Sequence, residues 1–189
     1  MRARLALASA QIAVEHREIL LRDKPAAMLV ASPKGTVPVL VLKNRVIEES
    51  YDIMLWALGQ NDPESWLDIP PDAHALIVET DGAFKTALDR YKYASRIADA
   101  DPETDRARAA EFLMTLEARL QGKRFLFGPS PRLPDMAIAT FVRQFAHVDL
   151  KWFTAQPWPK LANWLSEFKS SARFLDVMVK HPVWSPDAT

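Results

Sequence analysis

A proline at the mouth of an apolar run constrains this chain more than any other feature. The stretch reads Ser32-Pro33-Lys34-Gly35-Thr36-Val37-Pro38-Val39-Leu40. Pro38 has no N–H for a ladder bond, so it belongs at a strand start or on an edge. Residues 37–42 form an apolar run of strand length. Lys43-Asn44 makes a tight turn in which Asn tolerates positive φ, and 45–47 is the return strand. Glu49-Ser50-Tyr51-Asp52-Ile53 then opens a helix to Leu58 with Ile53, Trp56 and Ala57 on its buried stripe. Gly59 falls where a helix-ending left-handed residue is expected.

Two chemical features lie in that stretch. If the Val37–Pro38 bond is cis, the Val37 backbone turns outward and its N–H and C=O can pair with an extended peptide, as in strand addition. At Glu49-Ser50 a helix N-terminus offers free N–H groups and partial positive charge, a seat for a carboxylate. Ser50 adds a hydroxyl, and Glu49 can accept from an ammonium group. Strand edge and amino-acid clamp together fit γ-glutamyl-cysteinyl-glycine. The plainer alternatives are an edge proline and an ordinary helix cap.

The remaining pattern is a small α/β module followed by helices. Residues 1–11 read as a helix with Leu5, Ala8 and Ile12 on one face, and 13–20 as a strand. Asp23 caps a second helix, with Pro25 in its first turn and Met28 and Leu29 in the core. Prolines at 63, 70 and 71 mark 61–71 as a linker. Beyond it, helical stripes recur: Ile77, Phe84, Leu88, Tyr91 and Ser95; Leu113, Leu116 and Leu120 after Asp101-Pro102; Ile138, Phe141, Val142 and Phe145; Leu161, Trp164, Leu165 and Phe168; Phe174, Val177 and Met178.

Composition narrows the function. Acidic and basic residues balance at 24 each, with no basic tract to attract nucleic acid or anionic lipid. No apolar run has membrane-spanning length. The start, Met1-Arg2-Ala3-Arg4-Leu5-Ala6-Leu7-Ala8-Ser9-Ala10, imitates a secretory signal, yet it runs into the strand without a linker and reads as a helix. There is no cysteine, which removes disulfides and a thiol nucleophile within the chain. His16, His74, His147 and His181 have no ligand spacing, so no metal is expected.

In order, spacing and residue type, residues 35–40 followed by 49–53 resemble the glutathione S-transferase family. Pro134-Asp135-Met136-Ala137-Ile138 is similar to the family's Asp-bearing start of a central helix, and the resemblance reaches the late helix with Trp164-Leu165. It implies a thioredoxin-like N-terminal domain at 1–62, lacking its first strand, and an all-helical C-terminal domain at 72–189. It also implies the cis bond before Pro38, and glutathione held by Val37, Pro38, Glu49 and Ser50.

Two positions depart from the pattern. Arg132 stands where the family places Ser or Thr, leaving a half capping box with Asp135. Residues 1–5 resemble the interior of the first helix, so the family's opening strand and catalytic turn would lie upstream of Met1, or their slot is filled otherwise; no catalytic residue is assigned. The implied function is glutathione conjugation to an electrophile or related glutathione-dependent thiol chemistry. The alternative is a non-catalytic glutathione-binding or scaffold protein. A cytoplasmic homodimer acting on a small electrophile follows from the family. Tyr91 and Trp152 line an acceptor pocket or belong to the core, and Lys34 meets the glycine carboxylate or solvent.

Overall fold

The structure, a computed structural model, describes residues 1–185. It divides into two units: Met1–Glu64 with the residues from Ala172 onward, and Ser65–Ser171.

In the first unit, α1 (Arg2–Ser9) is built from Ala and Leu, which lose little side-chain freedom in a helix. It packs on α3 (Ser50–Gln60). Leu5 and Ala6 of α1 are buried, as is the α3 stripe of Ile53, Met54, Ala57 and Leu58. Trp56, expected in that stripe, is only half-buried. Gly59 does not end the helix: it stays helical, and α3 runs on to Gln60. Between these helices, β1 (Leu40–Val41) and β2 (Val46–Ile47) form an antiparallel hairpin with Leu40 opposite Ile47. The Leu42 N–H donates to the Arg45 carbonyl at 2.8 Å across the turn. Asn44 closes that turn without the positive φ expected of it.

Residues 13–20 do not form the expected strand. They make single bridges only, Glu18 with Val183 and Leu20 with Asp23. A strand needs a neighbour along its length, and the hairpin pairs only with itself. The second helix, α2 (Ala26–Ala31), starts after Pro25 rather than at an Asp23 cap, because the Asp23 N–H closes a turn onto Leu20. It buries none of its residues; Met28 is half-buried and Leu29 exposed, since two short strands give it little apolar surface to cover.

The second unit is helical: α4 (Pro71–Glu79), α5 (Lys85–Lys92), α6 (Pro102–Arg119), α7 (Leu133–Ala146), α8 (Leu150–Thr154) and α9 (Pro159–Ser170). The apolar stripe over 72–97 is one pattern in sequence but several pieces in space. A π-helical stretch, Thr80–Phe84, joins α4 to α5, and a 3-10 turn, Ala94–Arg96, follows. Asp101 caps α6 as its position predicts, accepting from Glu103 N at 3.1 Å and Thr104 N at 3.3 Å. Ile77, Phe84, Leu88, Leu113, Leu116, Ile138, Val142 and Leu161 form the core. Trp66, in the segment read as a linker, is fully buried, and its carbonyl accepts from Leu133 N at 3.0 Å. The final helix, α10 (Ala172–Val177), belongs to the first unit because Phe174 and Val177 bury themselves where it packs on α1. Among the described residues no helix is long and apolar enough to cross a membrane.

Candidate functional site

The loop after α2 positions the candidate residues. Ser32 ends α2, is fully buried and donates its hydroxyl to the Glu48 carboxylate. Lys34 then sets its ammonium 3.7 Å from Glu48 and 3.5 Å from Glu49. These contacts hold the loop against the turn that starts α3. Gly35 has φ +61, and a Cβ there would meet Leu29 at 3.2 Å and Lys24 at 3.3 Å. Only glycine takes that conformation at no steric cost.

Val37 and Pro38 come next. Their bond is cis, the geometry the resemblance implies. Neither the N–H nor the C=O of Val37 has a hydrogen-bond partner among the described residues, and its side chain is half in solvent. The main chain just ahead of β1 is therefore an open edge. At the start of α3, Glu49 is the N-cap, and its carbonyl accepts from Ile53 N at 3.0 Å. Its carboxylate is two-thirds exposed and faces Lys34. Ser50 is the first helical residue, and its hydroxyl has no partner among the described residues. First-turn N–H groups have no intrahelical acceptor, so this end keeps donors for an anion.

The Lys34–Glu49 contact thus brings the loop leading to Val37 and Pro38 alongside the helix tip of Glu49 and Ser50. Sequence reading missed Glu48, which anchors both Ser32 and Lys34. The signal was there: two consecutive glutamates follow a short hairpin whose entry loop carries a lysine. Lys34 itself lies beside two carboxylates with more than half of its side chain in solvent.

The comparisons with known proteins settle the lineage. Models of the glutathione S-transferase N-terminal and C-terminal domains match residues 1–66 and 82–167. The chain belongs to the glutathione S-transferase family. Solved structures agree on the fold. A bacterial glutathione S-transferase, BphK, in a ternary complex is 17% identical with a TM-score of 0.77, covering 93% of this chain and 91% of its own. A glutathione S-transferase from Rhodospirillum rubrum F11 is 22% identical with a TM-score of 0.73, covering 98% and 90%. A glutathione transferase from Methylococcus capsulatus is 18% identical with a TM-score of 0.78, covering 94% and 91%. A search of the curated proteins finds no match. The N-domain is thioredoxin-like with a small sheet, and the C-domain is helical.

The family's Asp, here Asp135, is buried at the start of α7. It accepts from Leu126 N at 2.9 Å, Arg132 N at 3.0 Å and the Trp164 indole at 2.9 Å. Burial pushes its carboxyl above the ordinary range, against the pull of these donors. Only half of the reciprocal cap forms, as the sequence implies. A guanidinium has donors alone, so Arg132 cannot accept from the helix and turns instead to Ser65 O and Asp68.

Tyr91 and Trp152 both pack on Phe145, with ring centroids 5.4 Å and 6.0 Å apart, and Arg106 lies 4.5 Å over Trp152. A cleft of about 600 Å³ in the helical unit runs between α5 and α6 past Phe84, Arg90 and Asp105. Val37, Pro38, Glu49 and Ser50 do not line it; their edge is an open surface. Among the described residues no acidic or histidine cluster is fit to hold a metal ion.

Proposed function

We propose that this glutathione S-transferase-like chain binds glutathione along the Val37 main chain and the tip of α3, and serves glutathione-dependent transfer to a small electrophile. The cysteinyl N–H and C=O of the tripeptide pair with the C=O and N–H of Val37, beside Pro38. The γ-glutamyl carboxylate takes the Ser50 N–H and hydroxyl, and its ammonium group faces Glu49. The observation that carries this reading is the contact of Lys34 with Glu48 and Glu49, which sets an unpaired main-chain edge next to an unpaired helix tip. Lys34 is no barrier to the ligand, because an exposed pair of this kind is worth roughly 0–1 kcal/mol and yields to a better-placed ammonium. A solved glutathione S-transferase-I bound to lactoylglutathione shares the fold at 20% identity and a TM-score of 0.72. In conjugation, the glutathione sulfur bonds to the electrophilic carbon, the leaving group departs with the bonding pair, and the thiol proton passes to solvent.

We further propose that the chain works as a cytoplasmic homodimer. Leu21, Val30 and Val41 of the first unit are exposed apolar side chains that such an interface would cover.

The test is a thermal-shift titration with glutathione. The unfolding midpoint rises with dose in the natural chain, while Ser50→Ala and Glu49→Gln each weaken apparent affinity about tenfold, the usual worth of one hydrogen bond to a charged group. No shift at millimolar glutathione overturns the reading. Saturable binding without turnover of an activated aryl halide leaves a glutathione-binding scaffold as the function.

A further inference from the structure

Within segment 13–20, residues 16–18 find partners at the far end of the chain. Glu18 forms a parallel bridge with Val183, and Trp184 N donates to the Glu18 carbonyl at 2.8 Å. One neighbouring pair keeps the same register. His16 stacks on His181 with ring centroids 4.3 Å apart. Arg17, on the alternate face, lies 4.6 Å over the Trp184 ring and is itself bound to Glu15 at 2.8 Å. From α1, the Arg4 guanidinium donates to Val179 O at 3.2 Å and lies 3.2 Å from His181 Nε2. All these residues belong to the first unit.

Glu18 with Val183 and His16 with His181 share one register two residues apart, while Arg17 and Trp184 lie on the alternate face, which is the pattern of strand pairing. Its shortness has a cause in the sequence. In this parallel register the N–H that should reach the His16 carbonyl belongs to residue 182, which is proline and has none. On the other side, Leu20 turns away to bridge Asp23. The ladder is confined to one rung, held by side chains around it.

We infer that residues 16–18 are a strand-accepting edge and that the chain's own segment 179–184 is its occupant, a strap that pins the N-terminal unit in cis. This surface fits an extended segment carrying an aromatic residue for Arg17 and a second ring for His16. One main-chain bond makes a weak hold, so the strap is exchangeable.

Hydrogen exchange on the full chain tests this. Trp184→Pro removes the donor to Glu18 and the ring over Arg17 while leaving α10 intact. The Glu18 amide, which the parallel bridge to Val183 sets opposite the carbonyl of residue 182, then exchanges at least fivefold faster, and the amides of α3 keep their rate. A chain ending at Met178 behaves likewise, and a synthetic peptide of residues 179–185 added in trans restores protection where a scrambled peptide does not. Unchanged exchange of the Glu18 amide in Trp184→Pro overturns the strap. Failure of the peptide to restore protection in the shortened chain overturns the strand-accepting edge. Neither result depends on glutathione.

Discussion

Asp135 meets N–H donors from three directions and is sealed from water. Removing its carboxylate strands those donors, each a buried polar group that costs free energy unpaired. Asp135→Ala is therefore expected to destabilise the protein by about 3 kcal/mol in chemical denaturation. Asp135→Asn costs less, since its carbonyl still satisfies one side. The pH dependence has a definite sign. The folded carboxyl titrates above its unfolded value, so the native state holds the proton to higher pH than the unfolded chain. Its share of stability is thus full below about pH 3.9, the unfolded value, and declines as pH rises through the folded one. Stability measured across that window should lose this slope in Asp135→Asn; an identical slope in both proteins would count against the raised value.

Helix limits here depend on what each glycine's backbone does. Gly59 and Gly82 sit in helical conformation with open space where a Cβ would go, the first in α3 and the second in the π-helical stretch. Gly122 follows α6 with φ +69. Substitution by alanine should separate them by sign. Gly59→Ala and Gly82→Ala raise stability by roughly 0.5–1 kcal/mol through helix propensity. Gly122→Ala lowers it by about 1 kcal/mol, because a side chain is strained at that φ. Midpoints of urea unfolding check all three. Read as sequence, Gly59 looks like a terminator, since a glycine after an apolar stripe does often end a helix. Sequence does not say whether the chain has room to continue, and α3 continues.

The segment between the two pattern regions is more than a tether. Its prolines identify it as irregular, which it is, but Trp66 carries it into the core of Ser65–Ser171. Trp66→Ala should cost the helical unit about 3–5 kcal/mol, the range for a fully buried large aromatic, read as a lowered denaturation midpoint of that unit. A midpoint unchanged by the substitution would return the segment to a simple linker. The same limit on local reading applies to 172–178. An amphipathic helix announces its apolar face but not its partner, and Phe174 and Val177 found α1 rather than the helices preceding them in sequence.

Local chemistry set much of the outcome: Pro38 at the entrance to the hairpin, Glu49 and Ser50 opening α3, Asp101 capping α6, and the apolar stripes of α6, α7 and α9. Such features need only a few neighbouring residues, so the order of residues along the chain is enough to specify them. The anchoring of the Lys34 loop by Glu48, the burial of Trp66, the docking of α10 on α1 and the bridge from Glu18 to Val183 needed the folded molecule. Each joins residues through space, where the loss of chain entropy on closing a loop is repaid only when a complementary surface is already in place.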